Sequence, residues 1–347
     1  MSYENYQPIV EVTRGSVVES VHWGALVAVT PDGKVIASWG DPSTFTFLRS
    51  SSKPFQALPL IEMGGAEAFS MTQDEIAVIC ASHSGTNEHV RVIEGLQRKI
   101  GITEQNLMCG THMPYDSETA NYLIKNNLAP TPNRHNCSGK HTGMLAHATL
   151  RELPLENYLD FDHPLQQTIL KTFSEMCDMD VDKIELGIDG CSAPVFAVPI
   201  FNAALAFARF ANPTGLASGR AEALRKIFFS MGHSPFMVAG PKRFDTDVMT
   251  VTNGAVVSKA GAEGYQGIAI APGVLGPDHP GCGIAFKISD GDTTSRARSL
   301  VAVEILRQLG AITDQQIEAL ASHAARPVYN WRRLVVGEMR PCFQAVH

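Results

Sequence analysis

Short β-rich runs fill the first forty residues, where "IVEVTRG", "SVVESV", "ALVAVT" and "KVIASWG" follow one another and "PDG" makes the turn between the last two. The pattern predicts an antiparallel meander. From Ser50 to about residue 235 the apolar spacing changes to a helical period. Thr72 and Glu75 in "TQDEIAVICASH" fit a capping box, Val90, Ile93 and Ile100 share one helical face, and "GRAEALRKIFFSMG" repeats that spacing. After "GPKRFDTDVMT" the β-rich signal returns in "GAVVSKAG", "QGIAIAPG" and "GIAFKISDGD", and two helical stretches, "SRARSLVAVEILRQLG" and "TDQQIEALASHA", follow. Strands at both ends with helices between predict an α/β fold of the α+β type, its antiparallel sheet assembled from N- and C-terminal strands around a mostly helical middle lobe. No linker rich in Gly, Ser or Pro interrupts the chain. Residues 1–347 therefore read as a single domain with a sheet lobe over 1–48 and 245–347 and a helical lobe over 49–244.

Composition narrows the class. The 347 residues are 44% hydrophobic and 18% charged, ordinary for a globular protein, and a net charge of -7 without any basic stripe excludes a nucleic-acid partner. The most apolar stretch, "APVFAVPIFNAALAFARF", contains two prolines, an asparagine and an arginine, so it reads as buried core and no membrane association is expected. The start "MSYENYQPIV" has neither the basic flank nor the apolar centre of a signal peptide, and the seven cysteines are odd in number and scattered. Both predict reduced thiols and a cytoplasmic location.

Several polar segments break apolar contexts. In "LRSSSKPFQ", Ser50 and Lys53 are three residues apart and share a helical face, while Pro54 places a helix start near Ser50 and Pro59 predicts a kinked or short helix. S-x-x-K at a helix start is the nucleophile motif of penicillin-recognising enzymes. In "CASHSGTNEH", Ser82, His83 and Ser84 lie at the C-terminal end of the helix that Thr72 caps, in a glycine-containing turn where such small polar groups usually only satisfy backbone. In "NRHNCSGKHTGML", Cys137 and His141 have the i, i+4 spacing of a shared metal and Lys140 reaches the same face at i, i+3. "IDGCSAPVF" sets Asp189 and Cys191 after a β-like run; Cys137 and Cys191 either share a metal or are two buried free thiols, the commoner case. "VVSKAGAEG" places Lys259 and Glu263 at a strand end among small residues, where a ligand can approach or where a surface hairpin simply turns. No H-E-x-x-H, G-x-S-x-G, P-loop or zinc-deaminase signature is present, which leaves a serine–lysine pair as the best nucleophile.

Taken in order, "RSSSKP", "CASHSGTNEH", "NCSGKHTGML", "DGCSAPVF", "SKAGAEG" and the terminal "NWRRLVVGEMRP" resemble the asparaginase II family, the Rhizobium-type or class 3 L-asparaginases, from about residue 7 to 341. The resemblance implies a serine β-lactamase-like fold, similar to glutaminases, a homodimer, and hydrolysis of L-asparagine to L-aspartate and ammonia. It implies one Ser–Lys tandem at Ser50 and Lys53 and a second at Ser82 and Lys259, with Arg49 and Asp189 lining the substrate pocket. His83 and Glu263 are expected beside them as substrate contacts. It further implies Zn2+ held by Cys137, Lys140 and Cys191, where spacing alone selects His141 in place of Lys140.

The expected chemistry is attack by Ser50 on the side-chain amide with Lys53 as base, while Ser82 and Lys259 relay a proton to the departing ammonia; Ser82 as nucleophile is the opposite order. Two lysines in one pocket repel, so at least one loses its proton. Zinc is expected to orient substrate or stiffen loops, since the serine already supplies the nucleophile. The rival functions are a related amidase, such as a glutaminase or β-lactam hydrolase, and a non-catalytic zinc-responsive binding protein.

Overall fold

A computed structural model describes residues 3–345. Its strands are β1 (Gln7–Arg14), β2 (Val17–Val29), β3 (Val35–Trp39), β4 (Phe45–Phe47), β5 (Glu185–Ile188), β6 (Pro194–Pro199), β7 (Val256–Ala260), β8 (Tyr265–Ile270), β9 (Cys282–Ile288), β10 (Arg326–Tyr329) and β11 (Val335–Pro341). The first helices are α1 (Lys53–Glu62), α2 (Gly65–Ala68), α3 (Gln73–Ile79), α4 (Asn87–Ile100), α5 (Ser117–Lys125), α6 (Ser138–Leu150) and α7 (Pro164–Cys177). Then come α8 (Ile200–Ala211), α9 (Ser218–His233), α10 (Pro235–Val238), α11 (Phe244–Val251), α12 (Arg298–Gln308) and α13 (Asp314–Ala319). No described helix is long and apolar enough to cross a membrane.

Two compact units divide the chain. The first comprises residues 1–48, 198–212 and 255–347 and holds an antiparallel sheet in the order β10-β11-β1-β2-β9-β8-β7, with β3 also paired to β2. The sheet is mixed-terminal, as the hydrophobic pattern predicts. Where the sequence suggests two runs, "SVVESV" and "ALVAVT", the structure has one thirteen-residue strand, β2, because its first half pairs with β1 and its second half with β3 and β9. Helix α8 packs on β2, β8 and β9, so Ala25–Val29 are fully buried, and α12 packs on β1, β8 and β11. Glycines decide how closely α8 lies: a Cβ on Gly283 would fall 2.1 Å from the Ala204 carbonyl, and one on Gly267 would fall 2.1 Å from the Phe207 ring. That close packing puts α8 with the sheet, although its position in the chain suggests the helical lobe.

The second unit comprises residues 49–197 and 213–254, mostly helix. Helix α1 packs against α6, α7 and α9, and α3 packs against α6 and α9. The capping box of α3 forms as predicted, with the Thr72 hydroxyl accepting from Glu75 N–H and the Glu75 carboxylate accepting from Thr72 N–H at 2.7 Å. On α4, Val92, Ile93, Leu96 and Ile100 are the buried face, and Val90 sits at its edge. Strands β5 and β6 form an antiparallel hairpin, Glu185 opposite Ala197, whose loop carries Asp189 and Cys191.

Candidate active site

Lys53 is the first residue of α1, not its fourth: residues Arg49–Ser52 form a 3₁₀ turn that ends at the helix. The tighter turn rotates Ser50 away from the position an α-helix would give it, so the predicted Ser50–Lys53 hydrogen bond does not form. Lys53, 1% exposed, instead sends its ammonium to Ala81 O at 2.5 Å, Ser82 Oγ at 3.0 Å and Cys137 Sγ at 3.2 Å. Among the three serines, Ser51 and Ser52 are fully buried and the Ser52 hydroxyl donates to Arg49 O at 2.9 Å. Only Ser50 is partly exposed. Arg49 itself has φ 51, a left-handed conformation that an arginine adopts at a cost of order 1–3 kcal/mol.

Ser82 follows α3 in an extended segment, not a turn, and the end of α10 pins it. Ser82 N–H donates to Val238 O at 2.9 Å, and the Ser84 hydroxyl donates to Ala239 O at 2.7 Å. His83 is fully buried and both ring nitrogens are spent within the protein. Its Nδ1 accepts from Gly85 N–H at 3.1 Å, so Nε2 carries the proton and donates to Ser138 Oγ at 2.9 Å, and Ser138 donates in turn to Asn133 O at 2.8 Å. Burial, then the neighbouring His89 and Lys53, holds its pKa well below the usual histidine value, which keeps the tautomer neutral. His83 is thus a strut that fixes the segment after Ser82, where the sequence suggests a substrate contact.

Helix α6 brings the remaining groups to the same place. A Cβ on Gly139 would lie 2.1 Å from Val78 O and one on Gly143 would lie 2.9 Å from the Ile79 Cβ, so these two glycines let α6 close on α3 and carry Cys137 to Lys53. Gly139→Ala is expected to force the helices apart, cost about 1–3 kcal/mol by overpacking and remove most activity. Chemical denaturation and turnover of the same preparation check this; native stability would show that the helices have room to shift.

Cys137 and Cys191 are buried thiols in hydrogen-bonding contact, and that contact, then the charges of Lys53 and Lys140, pulls the Cys137 thiol well below its usual range against the effect of burial. The Lys140 amine lies 2.9 Å from Cys191 Sγ. Burial opposes its charge, but Cys191 and Cys137 more than compensate, and its pKa is raised. Beside them His141 Nδ1 meets the Tyr158 hydroxyl at 2.6 Å, while its Nε2 is buried with no hydrogen-bond partner. Two sulfurs and a choice of one nitrogen form the soft donor set that zinc prefers, so these residues fit the metal in kind. No group of three or more His, Cys, Asp or Glu converges on a metal position among the described residues.

Asp189 and Arg49 do not stand apart as separate handles. Arg49 Nε donates to Asp189 Oδ1 at 2.7 Å, and Gly190 N–H donates to the same oxygen at 2.8 Å. Burial raises the carboxyl pKa, yet Lys140 and Arg49 together hold it below the usual carboxylate range. Lys259 and Glu263 belong to the first unit. Lys259 is fully buried on β7 with its amine donating to Ala260 O at 2.8 Å, and Glu263 sits exposed in the β7–β8 turn at φ 58. Sequence reasoning singled out the segment of Ser138 without giving that serine a role, and it missed His135 and Tyr158: His135 Nδ1 accepts from Cys137 N–H at 3.0 Å, but nothing near Tyr158 announces its bond to His141.

Comparison with known proteins bears on this constellation. The family model for L-asparaginase II matches residues 10–341. The chain belongs to the L-asparaginase II family. Membership makes it an amide hydrolase, and the clustered Lys53, Ser82, Cys137, Lys140 and Cys191 are this family member's candidate site. No curated protein matches the chain. Among solved structures, Mglu in its native form is 14% identical with a TM-score of 0.43, covering 85% of this chain and 66% of that one. The Bacillus subtilis glutaminase YbgJ, in covalent complex with 5-oxo-L-norleucine, is 14% identical at a TM-score of 0.38, covering 85% and 88%. A probable glutaminase from Bacillus subtilis with 6-diazo-5-oxo-L-norleucine gives 14%, 0.37, 82% and 82%. Likeness at this level carries no argument about the reaction.

Proposed function

We propose that this L-asparaginase II family member hydrolyses L-asparagine to L-aspartate and ammonia through a serine-bound acyl intermediate. The observation that carries the reading is the buried Lys53 amine held 3.0 Å from Ser82 Oγ. In this reading Ser50, which is not hydrogen-bonded to Lys53 in the structure, turns to that amine and attacks the side-chain amide, Lys53 in its neutral form takes the proton, and Ser82, hydrogen-bonded to the same amine, passes a proton to the departing ammonia. Water then cleaves the ester by the same route reversed. The short Lys53–Ser82 contact also favours a second reading in which Ser82 attacks directly. The Arg49–Asp189 pair supplies opposite charges for the α-carboxylate and α-amino groups, and the role expected of Lys259 stands as a separate proposal tested by Lys259→Ala.

The decisive experiment measures ammonia release by purified protein from asparagine, glutamine and a β-lactam panel, with Ser50→Ala and Ser82→Ala beside it. Release from asparagine, lost in Ser50→Ala, supports the proposal; a glutamine or β-lactam preference replaces the substrate; no release from any of them leaves the binding-protein reading.

For zinc, Cys137 and Cys191 with either Lys140 or His141 would hold the ion. Bound there, it would orient the substrate's charged end and tie the β5–β6 loop to α6. Lys140 would have to give up the proton that the two sulfurs favour, whereas His141 Nε2 is already buried without a partner. Cys137→Ala or Cys191→Ala is expected to abolish stoichiometric zinc and raise KM more than it lowers kcat, the signature of lost uniform binding. Metal analysis of Lys140→Ala and His141→Ala identifies the third ligand, and zinc-free wild-type protein from metal-replete culture ends the proposal.

A further inference from the structure

His135, between α5 and α6, has no task in the proposed reaction although it touches the site. Its side chain is 6% exposed, and Nδ1 accepts from Cys137 N–H at 3.0 Å. An accepting ring nitrogen carries no proton, so the imidazole is neutral and its proton sits on Nε2. Among the described residues nothing accepts from that N–H, and it is not closed off from solvent. His83 and His112 differ in this respect, since both use both ring nitrogens within the protein. Cys137 Sγ lies 3.2 Å from the Lys53 amine, so the unused donor of His135 belongs to the same constellation.

The segment between α4 and α5 holds this ring in place. His112 packs on His135 with ring centroids 4.3 Å apart and planes 59° apart. His112 Nε2 accepts from Asn136 N–H at 3.0 Å, so its Nδ1 carries the proton and donates to Met113 O at 2.6 Å. Tyr115 stacks on His112 at 4.8 Å, and the Arg243 guanidinium lies 5.8 Å over the Tyr115 ring. Tyr115 keeps much of its side chain exposed, yet the protein around its hydroxyl, then Cys137 and Asp189, raise its pKa against the opposing charge of Arg243. The column of Arg243, Tyr115, His112 and His135 therefore flanks the site, and all of these residues belong to the second unit. A donor fixed by a backbone bond and a packed neighbour loses little freedom when it meets an acceptor.

We propose that His135 Nε2–H donates to the α-carboxylate of the amino-acid amide, and that His112 and Tyr115 are its positioning residues. The choice of acceptor follows from charge. A neutral N–H cannot meet the α-ammonium, and a carboxylate gains more from a fixed donor than a neutral amide oxygen does. Arg49, the cation expected at this end, already spends its Nε on Asp189 at 2.7 Å, while a carboxylate has about four lone-pair positions to fill. The inference rests on asparagine being the substrate and adds the residue that recognises its backbone end.

The test is steady-state ammonia release from asparagine, with melting curves beside it. In His135→Asn the amide oxygen takes the place of Nδ1 and keeps the Cys137 N–H bond, but no donor reaches the Nε2 position. KM is expected to rise about tenfold or more with kcat within about threefold of wild type, as for an interaction made equally in ground and transition states. His135→Gln sets an amide N–H near the Nε2 position and should recover much of that loss. His112→Ala leaves the Cys137 bond intact, and its KM should rise about threefold or more by loosening the ring, which keeps the test open if His135→Asn melts early. An unmoved KM in both His135→Asn and His112→Ala overturns the inference alone. So does a fall in kcat at constant KM, which would move the donor to the oxygen that gains charge in the transition state. Wild type that releases no ammonia from asparagine overturns the asparagine reading and this inference with it.

Discussion

Lys53→Met is expected to lower asparagine turnover by at least about a thousandfold, because the members of one proton-transfer unit fail together. Methionine keeps nearly the volume of the buried side chain but removes the amine that lies 3.0 Å from Ser82 Oγ and 3.2 Å from Cys137 Sγ. It also strands Ala81 O, which now accepts at 2.5 Å, at a cost of about 1–3 kcal/mol. A melting curve must therefore accompany the kinetics. Lys53→Arg separates charge from basicity: guanidinium keeps the cation beside Cys137 but takes no proton near neutral pH, so it should be as inactive as Lys53→Met while melting closer to wild type. More than about a tenth of wild-type turnover in Lys53→Met would remove Lys53 from the mechanism. The location of the trapped acyl group, read by peptide mass after acid quench, then orders the serines. Acyl on Ser50 in wild type makes Ser82 the relay; acyl on Ser82 makes it the nucleophile.

How much of this was legible beforehand depended on the range of the interaction. Local signals were reliable. The Thr72 capping box and the "PDG" turn depend on residues a few positions apart and appear where the pattern puts them, and the β-rich runs fall in strands, two of them fused into β2. The Ser50–Lys53 register failed because i, i+3 reasoning assumes an α-helix, and three serines before a proline instead make a 3₁₀ turn whose end, not whose start, begins α1. The lysine then found Ser82, twenty-nine positions away, a partner no local pattern names. Likewise, Cys137 and Cys191 meet because Gly139 and Gly143 admit α6 against α3 and because a hairpin loop returns Cys191, and neither cause lies near either cysteine in the chain. The residues of the site were visible as interruptions of apolar segments. Their pairing was not, since tertiary packing chose it.

His147 carries the second large expected effect, on stability in acid. It lies on α6, 1% exposed, and neither ring nitrogen has a hydrogen-bond partner among the described residues. Burial, with Arg151 and His163 adding charge, lowers its pKa to about 4. The ordinary value near 6.5 applies when the chain unfolds, so between these values the unfolded state binds more protons. Stability that is complete above about pH 6.5 is therefore lost as pH falls toward about 4 and not further below, and one such histidine accounts for about 3 kcal/mol. His89, fully buried and also lowered to about 4, contributes a similar amount. Two together approach the whole stability of many domains, about 5–15 kcal/mol. The two rings differ in what their removal does at neutral pH. His89 is bonded to Thr86 Oγ1 at 2.6 Å and Phe236 O at 2.9 Å, so a substitution there sacrifices real partners. At His147 there are none to lose, and an apolar side chain relieves two unsatisfied polar atoms. His147→Met is thus expected to be as stable as wild type or more so at about pH 7.5, and to lose about 2–3 kcal/mol less than wild type on transfer to about pH 4.5. Urea unfolding at the two pH values measures both quantities. An unchanged acid sensitivity would show that His147 does not stay neutral in the fold, and a loss of several kcal/mol at neutral pH would show that its ring nitrogens are bonded after all.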